Sequence, residues 1–197
     1  MLLYLVALAT AAAAADPRAP STFQVTFVTD VPGRGTISLN ITRSDAPLGV
    51  DRFYALVKDS FFHESAFFRV VPDFVVQFGI AGEPKENIKW QLPIVDDPVV
   101  GTNTVGTITF ATSGPDSRTT ELFINTKDNA RLDKMGFAPF GIVTQGMDVA
   151  KKIFDPTPGN SNGIDQNQYM NKGNSWLKSK YPKANFITTT HITNVEW

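Results

Sequence analysis

Residues 67–78, reading FFRVVPDFVVQF, are dominated by large apolar side chains that Pro72-Asp73 divides into two short runs. The runs 67–71 and 74–78 are β-branched and aromatic, which predicts two strands. Pro72 sets φ for the turn between them, and Asp73 accepts a backbone N–H there. Upstream, 23–31 and 35–42 alternate apolar with polar residues on either side of Pro32-Gly33-Arg34, the pattern of a hairpin. Val50, Phe53, Tyr54, Val57 and Phe61 then recur at helical spacing over 47–61, with Asp45 or Pro47 marking the start. Residues 79–100, rich in Gly, Pro and charge around Trp90, read as a long excursion. Strands are expected at 104–111 and 121–125 around a turn-rich loop at 113–119, and within 137–143 after a loop at 128–136. A second helix is expected at 147–154, with Met147, Ala150 and Ile153 on one side. Residues 155–182 read as loop apart from a short helix near 176–181, and 186–195 close the chain with a Thr-rich strand. Many short strands and two clear helices predict an all-β (mainly β) barrel with helical caps.

Into the apolar surface of residues 67–78 the chain places one guanidinium, Arg69, and one neutral amide, Gln77. Burying a charge costs several kcal/mol unless its donors are satisfied, and Arg cannot shed its proton. Two readings follow. Arg69 lies on the solvent face of its strand, or Gln77 lends it a carbonyl oxygen without neutralising it, leaving N–H donors for a ligand.

Composition narrows the field. The 197 residues suffice for one domain with a full core, and 42% are hydrophobic, including fifteen Phe. A net charge of −1 without a basic excess argues against a nucleic-acid binder. The chain has no Cys, which excludes disulfides, thiol catalysis and thiolate metal sites. With two His, His63 and His191, and no acidic calcium loop, neither a metal nor a cofactor is expected. No G-x-S-x-G motif supports a hydrolase.

Residues 1–15, MLLYLVALATAAAAA, are apolar over about the length of a signal h-region and too short for the roughly 20 residues of a membrane span. Ala13 and Ala15 fit an A-x-A cleavage site, although no Lys or Arg forms a positive n-region. The other reading is an alanine-rich helix packed on the domain. A signal peptide over 1–15, a linker over 16–22 and a domain over 23–197 with an insert at about 155–182 are the expected divisions. The destination is the secretory pathway, as a secreted or endomembrane-lumen protein, or the lumen of an organelle. Asn40-Ile41-Thr42 is a glycosylation sequon, with Asn40 on the outward side of its strand.

The strand pair FFRVVPDFVVQFG resembles the Arg-bearing pair of cyclophilins, the peptidyl-prolyl cis–trans isomerases. Two further stretches follow in the order of that family. In residues 106–125, GTITFATSGPDSRTTELFIN, an Ala-x-x-Gly-Pro loop precedes a strand, and Leu132-Asp133 is followed by Phe140-Gly141 and Gly146-Met147. The resemblance spans about residues 23–154. It implies an eight-stranded antiparallel cyclophilin-like barrel capped by two α-helices, with Arg69 as catalytic guanidinium and Gln77 as its partner. It also implies a proline pocket walled by Phe74, Val75, Phe123 and Leu132, with Ala111 and Thr112 holding peptide backbone. Phe137 falls where the family usually has a His. Glu121 replaces a usual Gln, Thr112 an Asn and Val75 a Met, and Arg131 stands in place of a Trp important for cyclosporin binding. Weak cyclosporin binding is therefore expected. Ionised beside Arg69, Glu121 would occupy donors meant for substrate; turned outward, it would do little.

The function so implied is rotation of X–Pro bonds in proline-containing polypeptides, assisting protein folding, by a chain expected to be a monomer free of the membrane after signal removal. The rival is a proline-peptide-binding or holdase module with weak or no isomerase activity, motivated by Glu121 and Val75.

Overall fold

The computed structural model describes residues 17–33 and 35–197. The signal-peptide reading of 1–15 lies outside the described residues. Nine strands form one sheet: β1 (Thr22–Thr29), β2 (Thr36–Thr42), β3 (Ser65–Ala66), β4 (Arg69–Val71), β5 (Val75–Phe78), β6 (Thr107–Phe110), β7 (Leu122–Asn125), β8 (Pro139–Gln145) and β9 (Phe186–Glu196). Their order is β3-β9-β1-β2-β8-β6-β7-β5-β4, with antiparallel pairing at each neighbouring pair.

The two end strands are consecutive in the chain, and this curls the sheet into a barrel. Residues 65–71 form one extended run broken at Phe67-Phe68. The Phe67 N–H donates to the Asn185 carbonyl at 2.9 Å, beside β9, and the Phe68 N–H to the Gln77 carbonyl of β5 at 3.1 Å. Taken as one strand, β3 and β4 bring the count to the expected eight. The run changes partner at Phe67-Phe68, from β9 to β5, while the alternation of an extended chain still buries the Phe67 ring in the barrel core and the Phe68 ring in a second cluster.

The interior is aromatic. Phe27 meets Phe53, Phe62 and Phe78 with ring centroids 5.4–6.4 Å apart, and Phe53 meets Phe140 at 5.3 Å. Phe53 comes from α1 (Pro47–Lys58), whose buried face includes Val50, Leu56 and Val57, so the expected helical stripe covers the barrel. Asp97 accepts from the Leu48 and Gly49 N–H groups in the first turn of this helix.

Among the described residues more helix forms than the two stretches expected. Residues 79–100 contain α2 (Pro84–Lys89), and the second expected helix is a single turn, α3 (Met147–Ala150). The loop reading of 155–182 is corrected more substantially: α4 (Gln166–Lys180) consists of two short helical stretches that meet at Gly173, whose backbone is non-helical (φ 65°, ψ −163°). Its sequence QNQYMNKGNSWLKSK is too polar to show a broad apolar face, yet Tyr169, Gly173 and Leu177 recur every fourth residue and are buried. With Ile164 they pack on Ala66, Phe68, Ile80 and Phe186 outside the barrel. The linker expected over 16–22 is already docked on the domain at Ala19, which is buried with its N–H on Asp51 at 2.7 Å, and β1 begins at Thr22. Among the described residues no helix is long and apolar enough to cross a membrane.

Candidate active site

The site grows out of the strand register. Arg69 on β4 lies opposite Gln77 on β5, and Gln77 opposite Phe123 on β7. Since alternate residues of a strand share a face, Val76 and Phe78 turn into the barrel core while Val75 and Gln77 turn outward. Val75, Phe123 and Leu132 form a separate small apolar cluster, joined by the partly buried Phe74, Ala111 and Phe137. These side chains, with Arg69, Gln77 and Thr112, line an open hollow of about 290 Å³.

Every residue expected at the site except Glu121 lines that hollow, which Arg131 and Met135 complete. Phe123 and Phe137 meet edge to face at 5.7 Å. Arg131 lies over the Phe74 ring at 4.8 Å, a cation–π contact at the rim. The Thr112 hydroxyl is taken up within its own loop, bonded to the Gly114 carbonyl and, at 2.7 Å, to Ser117 Oγ. A hollow of about 250 Å³ lies elsewhere on the β4–β5 turn, among Val70, Pro72, Val76, Ile153 and Lys151, and has no aromatic wall.

Arg69 is half-buried and held by neutral acceptors. Its Nη1 donates to Gln77 Oε1 at 2.9 Å and its Nε to the Ser161 carbonyl at 2.6 Å, while the guanidinium lies 5.8 Å from the Phe74 ring centroid. Burial pushes its pKa down and the charge of Glu121 opposes this. The guanidinium stays protonated in any case. Glu121 sits behind the hollow and takes neither of the two expected positions. Its Oε2 accepts from Gln77 Nε2 at 2.8 Å, so the carboxylate reaches Arg69 only through the amide. Burial outweighs the Gln77 hydrogen bond and the Arg69 charge, and Glu121 is pushed up to about 7.

Two supports were missed in the sequence. The first is Ser161. Gly163 (φ +76°) brings the 155–164 segment against β4, and the Ile164 N–H donates to the Phe68 carbonyl at 2.9 Å. This places the Ser161 carbonyl on Arg69. The second is a buried amide network beneath the pocket. Asn129 Nδ2 donates to the Phe74 carbonyl at 3.0 Å and to Asn125 Oδ1 at 2.8 Å. Asn125 Nδ2 donates to Asn103 Oδ1 at 3.1 Å, and Asn103 Nδ2 to the Phe137 carbonyl and to Asp133, each at 2.8 Å. The network fixes the main chain of two pocket walls. Its one sequence signal is three Asn in segments otherwise destined for burial. Among the described residues no group of His, Cys, Asp and Glu could hold a metal ion.

Residues 24–173 match the family described as "Cyclophilin type peptidyl-prolyl cis-trans isomerase/CLD". The chain belongs to the cyclophilin-type peptidyl-prolyl isomerases. It is 36% identical over 139 residues to a peptidyl-prolyl cis-trans isomerase of Acinetobacter baylyi, covering 68% of this chain and 73% of that protein. With peptidyl-prolyl cis-trans isomerase B of Escherichia coli it shares 32% identity over 146 residues, covering 70% and 87%. The fold is also that of a Cryptosporidium parvum cyclophilin, with a TM-score of 0.64 at 16% identity, over 88% of this chain and 98% of that one. As in other cyclophilins, the fold is mainly antiparallel β, and membership carries the isomerase activity named for these relatives.

A Cβ on Gly163 would lie 2.6 Å from Arg69 Cβ and 2.7 Å from the Phe68 carbonyl oxygen. Gly163→Ala is therefore expected to cost about 1–3 kcal/mol in urea unfolding and to expose the Arg69 Nε–H to solvent exchange in 15N NMR. An unshifted midpoint with a still protected Nε–H would contradict the clamp.

Proposed function

We propose that this cyclophilin turns X–Pro bonds by offering Arg69 to the prolyl nitrogen of a twisted amide. The observation that carries the reading is the guanidinium bound to the Gln77 amide beside the aromatic-walled hollow. Rotation about an X–Pro bond meets a barrier of about 18–20 kcal/mol from amide resonance, and no bond is made or broken. Catalysis then means binding the twisted form better than either planar one. Once resonance is lost, the prolyl nitrogen carries a lone pair that an N–H can donate to, and the planar forms offer no such acceptor. With Nε and one Nη1 hydrogen engaged by neutral oxygens, Arg69 keeps its charge and retains N–H groups on the side of the hollow. A charge-assisted hydrogen bond is worth about 1.5–3 kcal/mol, one to two decades of rate.

The remaining stabilisation is assigned to the apolar grip. Phe74, Val75, Phe123, Leu132 and Phe137 hold the ring, while the main chain of Ala111 and Thr112 holds the peptide. Gln77 is the partner that orients Arg69. The substrates inferred are proline-containing polypeptides undergoing folding, bound by a monomer. Cyclosporin affinity is expected to be weak, because Arg131 offers a charged edge where an indole would supply a flat donor face. Membership in the isomerase family favours turnover over the holdase reading.

Arg69→Ala should lower kcat/KM on a short Ala-Pro peptide at least about tenfold with an unchanged circular-dichroism spectrum, and cyclosporin titrated into the wild-type reaction should inhibit only weakly. Unchanged turnover would refute the role given to Arg69, and tight inhibition the role given to Arg131.

We also infer that residues 1–15 direct export through the secretory pathway, with cleavage near Ala15, from their apolar run and small residues. Asn40 is exposed on β2, where Gln24 Nε2 donates to its Oδ1 at 2.8 Å, and it is the acceptor inferred for a glycan added before the sheet closes. Expressed in secreting eukaryotic cells, the protein should appear in the medium beginning at Asp16, with a glycosidase-sensitive mass increment that Asn40→Gln abolishes. Retention in the cytosol with Met1 intact would contradict the export reading.

A further inference from the structure

We propose that Arg131 is a specificity-determining residue that gives this isomerase a preference for prolines flanked by an acidic side chain, Asp or Glu. The inference rests on the isomerase reading above and names a substrate class for the same site.

Arg131 stands at one end of the hollow. The 3-10 helix Ala130–Met135 buries only Leu132, against the pocket, and leaves Arg131 exposed on the rim beside the exposed Met135. The start of that helix is tied to the pocket wall. The Leu132 N–H donates to the Asn129 carbonyl at 2.8 Å, and Asn129 Nδ2 to the Phe74 carbonyl at 3.0 Å. Two guanidinium groups thus share one ring, with Arg131 4.8 Å and Arg69 5.8 Å from the Phe74 centroid. Strand register sets the order along the hollow. Gln77 lies opposite Phe123, and Val75 opposite Asn125. The Ala111 N–H donates to the Glu121 carbonyl, which puts Ala111 and Thr112 beyond Phe123 at one end. The Thr126 N–H donates to the Phe74 carbonyl, which puts Phe74 and Arg131 beyond Asn125 at the other. A peptide with its prolyl nitrogen at Arg69 and one flank on Ala111-Thr112 carries its other flank toward Arg131.

The charge of Arg131 is unspent. Among the described residues no carboxylate lines the hollow, and none forms an ion pair with Arg131. The acidic groups closest along the chain are taken up elsewhere. Asp128 Oδ1 accepts from the Val105 N–H at 2.8 Å, and Asp133 Oδ1 from the Asn103 N–H at 2.9 Å and Asn103 Nδ2 at 2.8 Å. Asp73 lines the other hollow on the β4–β5 turn, and Glu121 stays behind Gln77. A chain with a net charge of −1 therefore meets its substrate with two guanidinium groups and no anion. The Phe74 face holds Arg131 without neutralising it, so the planar fork is left for a carboxylate, which it matches in geometry. Such a pair at the flank forms alike with planar and twisted amides. It tightens binding and leaves the rotation step to Arg69.

The test is kcat/KM, by exchange NMR at neutral pH and low salt, for blocked peptides with Gln or Glu either directly before an Ala-Pro pair or directly after it. In at least one of the two placements Glu should exceed Gln about threefold or more, through a lower KM at unchanged kcat. The advantage should shrink as NaCl is raised toward about 0.5 M. Arg131→Gln should bring the Glu-to-Gln ratio to about one, and Arg131→Lys, which keeps the charge but not the fork, should retain part of it. The ratio, not the absolute rate, is the readout. A ratio near or below one in both placements, an advantage indifferent to salt, or one that Arg131→Gln leaves intact would overturn the proposal while leaving the isomerase reading in place. Absence of turnover of the Gln peptides by the wild type would instead remove the isomerase reading itself.

Discussion

A permanent charge kept partly out of water by neutral partners is the constraint on which this structure turns. A carboxylate bonded directly to Arg69 would secure the guanidinium more cheaply, but it would also spend the positive charge and the donors. The chain instead supplies an amide oxygen and a main-chain carbonyl, and sets its nearby carboxylate one residue further back. Each acceptor requires a particular piece of fold. The Gln77 oxygen requires the β4–β5 register, which depends on the turn at Pro72-Asp73. The Ser161 carbonyl requires the 155–164 segment to lie against an edge strand, which depends on Gly163 and on the cluster behind Phe68.

The pocket beside the guanidinium is built by the same economy. The alternation of β5 sends Val76 and Phe78 into an aromatic core that stabilises the barrel, and Val75 and Gln77 to the site. One strand thus serves stability on one face and chemistry on the other. Beneath the walls, Asn103, Asn125 and Asn129 are buried and bonded to one another and to backbone carbonyls. A buried polar network with its partners satisfied rigidifies what it touches, and here it touches the main chain of Phe74 and Phe137. The hollow is consequently held by hydrogen bonds as well as by contact between rings.

Much of this was legible in the sequence, for physical reasons that also explain what was not. Strand alternation and the apolar stripe of α1 carry strong periodic signals, so the barrel and its covering helix could be read directly. Arg69 and Gln77 stood out because polar groups in an apolar run demand partners. The helical segment at Gln166–Lys180 was hidden because, broken at Gly173, it buries Tyr169, Gly173 and Leu177 alone on an otherwise polar surface. The role of Ser161 was invisible because it acts through its backbone carbonyl, which every residue possesses. Glu121 could be placed near Arg69, but whether it met the guanidinium or the amide depended on a spacing that no pattern of residues encodes.

The central claim concerns the planar, forked geometry of the guanidinium and not charge alone. Lys carries the same charge on a flexible stem and cannot engage Ser161 and Gln77 while still presenting a fixed N–H. The most direct measurement is the rate of cis–trans interconversion of an Ala-Pro peptide while bound, from NMR line shapes at saturation, for the wild type and Arg69→Lys. The account predicts a rate at least about tenfold lower in Arg69→Lys with peptide affinity changed by less than about threefold. An equal on-enzyme rate in the two proteins would contradict it.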